Sequence, residues 1–376
     1  MKGAKMRKLM ATPAFRFLAL AALCTAMGLE LLPPDRNPGA GDRELWAAAR
    51  QPLESQEQED LGRSGSLVWP SPPEPPTIRF LARIPGPDAP TDRKSFLQRL
   101  GKVLFAQPKE TGMIRPLGLV AKKGVLYVTD PGARAFFIFD LAKKLSQKIT
   151  KADGDLLVSP IGIALHQDRI FVSDSYLRRI LVYDRRGRFV KTFAELQLQR
   201  PTGLALDERS GRLYVTDTAA HQVLIYSLDG KLEKSFGGRG RGQGEFNYPT
   251  HLWLDGKGAL YVVDSLNFRV QVFQLDGAFL AAFGHHGDGS GDFSSPKGIA
   301  ADSRGHLYVV DALFDAIQIF DRQGQLLLAF GQRGIRPGQF WLPAGVFVDE
   351  EDRIYVADSY NHRIQVFEFV GGGASR

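Results

Sequence analysis

From Pro116 onward, short apolar runs recur with a fixed internal order and are separated by polar turns. Pro160-Ile161-Gly162-Ile163-Ala164 precedes Ile170-Phe171-Val172-Ser173-Asp174 and then Arg179-Ile180-Leu181-Val182-Tyr183. Pro343-Ala344-Gly345-Val346 leads in the same way to Ile354-Tyr355-Val356-Ala357-Asp358 and Arg363-Ile364-Gln365-Val366-Phe367. The Pro markers fall at 116, 160, 201, 249, 296 and 343, and the Asp markers at 130, 174, 217, 264, 311 and 358. The β-branched and aromatic content of the runs, and the alternation in Val270-Gln271-Val272-Phe273, predict strands. Turn pairs such as Asp229-Gly230 and Asp276-Gly277 predict hairpins between the third and fourth strands.

Successive Asp markers are 44, 43, 47, 47 and 47 residues apart. Four short strands per repeat at that period predict an all-β chain, a six-bladed β-propeller of four-stranded blades. The sixth repeat supplies three strands before Gly371-Gly372-Gly373, and a spare strand-like run spans 77–84. That run is expected to become the outer strand of the last blade, closing the ring and covering an edge.

The repeats also carry a family resemblance. Asp358-Ser359-Tyr360-Asn361-His362-Arg363-Ile364-Gln365-Val366-Phe367 and Asp264-Ser265-Leu266-Asn267-Phe268-Arg269-Val270-Gln271-Val272-Phe273 resemble the NHL repeat. The resemblance implies a propeller, but not one function, since such propellers include protein-binding scaffolds, RNA-binding platforms and a minority of enzymes. Amidating lyases with NHL repeats place zinc-binding His directly after the inner-strand Pro. Here those positions are Leu117, Ile161, Thr202, Thr250, Lys297 and Ala344. No catalytic residue, metal ligand or cofactor site is therefore expected.

Charge and composition divide the chain. The formal charge is +7, and residues before Thr77 hold nine basic and nine acidic side chains, so the excess belongs to the repeats. Lys2, Lys5, Arg7 and Lys8 precede an apolar stretch from Phe17 to Leu29, too short to span a bilayer easily. Residues 1–28 thus predict an export signal, 29–76 a flexible Pro-rich linker, and 77–376 the propeller. Cys24, the only cysteine, sits as in a bacterial lipoprotein signal, although Leu23 departs from the small residue preferred there. Ordinary cleavage near Ala26 or Gly28 is the alternative. The chain is expected to be exported, as a periplasmic or membrane-anchored lipoprotein or an extracellular protein, and monomeric. Nucleic acid fits the basic charge but conflicts with export.

The strand order places the loops entering each Pro and the Asp-containing turns on one face. Apolar positions 96, 97, 100, 103 and 104 predict a helical insertion near 91–105, on that same face. Phe246, Phe293 and Phe340 each stand three before a Pro and are expected to pin long entering loops. The six strand-end Asp recur in every blade, so they are expected to accept turn N–H groups rather than form a site. Symmetry-breaking residues on the loop face are the candidate partner contacts: Tyr176, Leu177, Arg178, His221, His251, Phe268, Lys297, Phe314, Trp341 and Tyr360. They point to a non-enzymatic envelope scaffold binding a protein or an anionic envelope component, the rival being a metal-assisted hydrolase or lyase with a site at the channel. Cys24→Ser should move the protein from the membrane fraction to the soluble fraction; a mature N-terminus downstream of Cys24 would reject acylation.

Overall fold

A computed structural model describes residues 67–71, 74–75, 77–84, 112–193 and 198–371. The leader 1–28 with Cys24, the linker before Leu67 and the helix expected near 91–105 lie outside them. Six antiparallel sheets form the blades, and in blades 1 to 5 the strands run from inner to outer in chain order. Blade 1 comprises Leu119–Lys122, Val125–Asp130, Ala135–Asp140 and Leu145–Ile149. Blades 2 to 5 open on the inner strands Pro160–His166, Pro201–Asp207, Pro249–Leu254 and Pro296–Ala301. Blade 6 contributes Val346–Val348, Arg353–Asp358 and Arg363–Phe369.

The N-terminal strand Ile78–Ile84 pairs antiparallel with Arg363–Phe369, so the last blade closes as the spare strand implied. A further strand, Val68–Trp69, pairs with Ile78 and Arg79 and makes this sheet five-stranded. Part of the expected linker is thus bound to the propeller. The reason is Trp69, whose ring lies 5.5 Å from Phe330 and 5.8 Å from Phe367. An aromatic side chain of that size yields enough burial to hold a two-residue strand on the edge.

The core is divided among the blade interfaces. Each of six apolar clusters is shared by two neighbouring blades, as where Phe136 and Ile138 of blade 1 meet Val172 and Tyr183 of blade 2. Second strands are buried on both faces and therefore read as continuous apolar runs. Around the channel the inner strands nearly touch. A Cβ on Gly118, Gly162 or Gly203 would collide with the carbonyl of Ile161, Thr202 or Thr250 in the next blade. The same holds from Gly298 to Ala344, and from Gly345 to Leu117, where the ring closes.

Hydroxyls tie this inner ring. Thr129, Ser173 and Thr216 each accept the N–H of their own blade's inner Gly and donate to the next blade's carbonyl. Just past the marker Asp, Ser175, Thr218, Ser265 and Ser359 donate to Pro201, Pro249, Pro296 and Pro116. The last of these links blade 6 to blade 1 at 2.6 Å.

Removing all residues through Ile84 should abolish a single cooperative unfolding transition and promote aggregation. Ile78 and Ile84 are buried, and truncating such residues costs about 2–5 kcal/mol each. That is a large part of the ~5–15 kcal/mol typical of a domain. Urea unfolding with light scattering checks this; a truncated protein that unfolds like the full chain would contradict it.

Candidate functional site

Six buried carboxylates shape the loop face. Asp130, Asp174, Asp217, Asp264, Asp311 and Asp358 end the second strands and are inaccessible to solvent. Each accepts N–H groups from the loop entering its own blade. Asp130 takes Ile114 at 2.6 Å and Arg115 at 2.9 Å, and Asp217 takes Gln199 at 2.8 Å and Arg200 at 2.7 Å. Asp174 and Asp311 add the turn N–H groups of Tyr176 and Leu177, and of Leu313 and Phe314. One carboxylate thus fixes two loops, as the turn chemistry implied. Burial raises the pKa of Asp130, Asp264, Asp311 and Asp358, while the hydrogen bonds they accept act the other way.

Blades 4 and 6 reinforce this staple. Asn267 and Asn361 donate to Asp264 and Asp358 and to Gly240 and Gly334 of the entering loops. Arg269 and Arg363 pair with the same Asp at 2.9 and 2.7 Å and donate to loop carbonyls, including Glu245 and Gln339. Gln271 and Gln365 are fully buried and donate to those carbonyls too. Phe246, Phe293 and Phe340 are fully buried beneath the loops, as expected of pins. In blade 2, Arg179 is exposed.

Four residues beyond each Asp, the turn adopts a left-handed conformation: Arg134, Arg178, His221, Phe268, Asp315 and His362 have φ between 49° and 56°. Three of the candidate contacts therefore occupy a repeated backbone position, with only their side chains breaking symmetry. Tyr176 is 69% exposed, and Arg178 is exposed beside it. Leu177 and Phe314 are half-buried. Trp341 and Tyr360 pack together at 5.8 Å, with the Arg333 guanidinium 5.7 Å from the indole. Phe268 lies 4.4 Å from the His286 ring.

His221 belongs to the same set of turns. It is buried; its Nδ1 lies 3.2 Å from the Tyr248 N–H and 3.2 Å from the Phe246 carbonyl. One nitrogen cannot both accept and donate, and because burial lowers its pKa, the neutral ring accepting from Tyr248 is favoured. His221 packs against the loop that enters blade 4.

Lys297 is buried, and His251 is half-buried on the inner strand of blade 4. His251 replaces the inner Gly of blade 4, and both its ring nitrogens are shut off from solvent without a hydrogen-bonding partner. Burial, and secondarily Lys297, lowers its pKa to about 4. Lys297 is 9% exposed; its pKa is lowered to about 8, first by burial and then by Arg200, with Asp311 opposing. Arg200 is half-buried and near Tyr248. Neither Arg200 nor Tyr248 was singled out by sequence. Comparing the residues just before each Pro (Arg115, Ser159, Arg200, Tyr248, Ser295, Leu342) would have raised both.

The NHL repeat model matches residues 198–226 and 340–367, in blades 3 and 6. The chain is a six-bladed β-propeller that carries NHL repeats. The repeat at Asp264–Phe273 falls outside the matched segments, yet it makes the same Asn, Arg and Gln hydrogen bonds as the matched repeat of blade 6. An auxiliary nutrient binding protein from Bacteroides thetaiotaomicron is similar in structure, with a TM-score of 0.56 and 14% identity over 69% of this chain and 70% of that one. A streptogramin B lyase is similar with a TM-score of 0.52 and 13% identity, over 68% and 94%. At such identities the likeness shows the fold alone. No curated protein sequence matches.

The NHL propeller should lose stability in acid through His251. The unfolded chain binds a proton near pH 6.5 that the folded chain refuses until about pH 4, so stability falls as pH drops across that window. Between pH 7 and pH 4.5 His251 should account for a loss of about 2–3 kcal/mol. Urea titrations of wild type and His251→Gln at both pH values, without phosphate or carboxylate buffers, check this; equal losses would contradict it.

Proposed function

We propose that this protein is a non-enzymatic binding propeller of the cell envelope, whose loop face takes a protein or an anionic envelope component. It acts as an exported monomer, held at the membrane through acylated Cys24 or released by ordinary cleavage. The observation that carries the reading is the contrast within one face. Its backbone is fixed by buried carboxylates, yet Tyr176 and Arg178 are exposed, and Trp341, Tyr360 and Arg333 form an aromatic and cationic patch. A rigid surface bearing Tyr, Trp and Arg suits an interface, because little ordering entropy is lost on binding.

The rival is a metal-assisted hydrolase or lyase. The fold supports neither reading over the other, since the similar structures include both a nutrient-binding protein and a lyase. The side chains favour binding: among the described residues no three His, Cys, Asp or Glu group together to hold a metal. The six marker Asp are committed to backbone N–H groups.

Replacing Tyr176 and Arg178 together with Ala should weaken capture of the envelope partner by about 1–2 kcal/mol or more. Stability should change by no more than about half a kcal/mol per site. Lys231 and Gln325, both exposed in the turns before fourth strands on the opposite face, form the control pair. Equal behaviour of the two pairs in pull-down, or collapse of the fold in the first, would contradict the loop-face reading.

A further inference from the structure

Blade 6 holds an aromatic side chain that no repeat supplies. Trp69, from the added strand Val68–Trp69, lies 5.5 Å from Phe330 and 5.8 Å from Phe367. A Cβ placed on Gly338 would meet its indole at 2.4 Å. The two rings that Trp69 touches belong to a set of four. Phe330 stands 5.2 Å from Phe367 and 6.3 Å from Phe340, while Phe340 and Phe80 stand 5.9 and 5.6 Å from Phe367. Blade 4 rebuilds that set. Phe236 stands 5.0 Å from Phe273 and 6.3 Å from Phe246, while Phe246 and Phe279 stand 5.6 and 5.9 Å from Phe273. The neighbouring backbone matches too: the Gly244 N–H donates to Gln271 as the Gly338 N–H donates to Gln365.

What differs is the cover. Phe330, with the indole against it, is 2% exposed, whereas Phe236 is only half-buried. Among the described residues, no atom lies within 4 Å of a Cβ placed on Gly244. The adjacent strand has the same character. Phe279–Phe283 is the outer strand of blade 4, and its Leu280, Ala281 and Ala282 are exposed. It contains no charged residue, whereas the outer strands of blades 1, 2 and 3 carry Lys148, Lys191, and Glu233 with Lys234. Charges on an edge discourage further pairing, and an apolar edge favours it. Blade 5 also has an uncharged outer strand, but there Leu326 replaces the fourth aromatic and lies 3.7 Å from a Cβ placed on Gly291.

We propose that the outer edge of blade 4 docks an extended segment of a partner polypeptide, one carrying an aliphatic residue followed by tryptophan. The occupant's chemistry is that of Leu67-Val68-Trp69, which fills the matching place on blade 6. There the Phe80 N–H donates to the Leu67 carbonyl at 2.9 Å, and the Thr77 N–H donates to the Trp69 carbonyl at 2.7 Å. Phe279 of blade 4 stands opposite Phe273 as Phe80 stands opposite Phe367. Main-chain hydrogen bonds along this edge supply affinity, and a ring set against Phe236 and Phe273 supplies selectivity. The site uses none of the loop-face contacts, so it gives the propeller a second binding surface.

Fluorescence polarisation of a labelled peptide with the sequence of residues 65–76, titrated with the full chain, tests this. Blade 6 already holds the chain's own copy of that segment, so hydrogen exchange is used to locate the added peptide. Saturable binding is expected, with new protection at Gly244 and across Phe279–Phe283. Replacing the peptide's tryptophan with alanine should weaken binding roughly tenfold or more. Leu280→Lys combined with Ala282→Lys should do the same, and because both residues are exposed, urea unfolding should change little. Leu232→Lys, on the exposed outer strand of blade 3, should leave binding unchanged. Absence of saturable binding, protection confined to blade 6, or equal binding of the alanine peptide would overturn the proposal. So would a concentration-dependent dimer in sedimentation that the lysine pair abolishes, since a second copy would then be the occupant. The Tyr176→Ala/Arg178→Ala variant should bind the peptide like wild type. Lost peptide binding with intact loop-face capture counts against this site alone, and the reverse against the loop-face reading alone.

Discussion

A buried, ionisable carboxylate at the end of each second strand organises this molecule. An unpaired charge in that position would be prohibitive, so each Asp must be surrounded by donors. The backbone of the entering loop and of the following turn supplies them. In blades 4 and 6, side chains from the turn and the third strand complete the shell: Asn267, Arg269 and Gln271, and Asn361, Arg363 and Gln365. The loop face owes its shape to this one requirement, repeated six times.

Much of the fold was legible in the sequence because the repeat imposes a strict alternation on short strands. Blade number, strand order and the closing role of Ile78–Ile84 all follow from period and from the missing fourth strand. The marker Asp were legible as structural for the same reason, since a feature present in every blade does not make a single site. Val68–Trp69 was not legible. Two residues carry no periodicity, and Trp69 is held by contacts with Phe330 and Phe367, hundreds of positions away.

The candidate site was less legible. Symmetry-breaking picks out unusual residues but does not tell whether they point outward, and His221 shows the cost: its ring turns inward to accept from Tyr248. Arg178 shares its turn geometry and, like Tyr176, is exposed to solvent. Arg200 and Tyr248 were missed because they lie just before the repeat's first marker, outside the compared window.

The central claim is that the marker carboxylates are structural staples holding the loop face. Hydrogen exchange of Asp311→Asn tests it most directly, because an amide oxygen cannot replace a charge that accepts from four N–H groups. Loss of protection at Ser294, Ser295, Leu313 and Phe314 is predicted, with a global destabilisation of about 1.5–3 kcal/mol or more. The amides of blade 2, across the ring, should keep their rank order of protection. Unchanged protection at those four amides, with unchanged stability, would contradict the account.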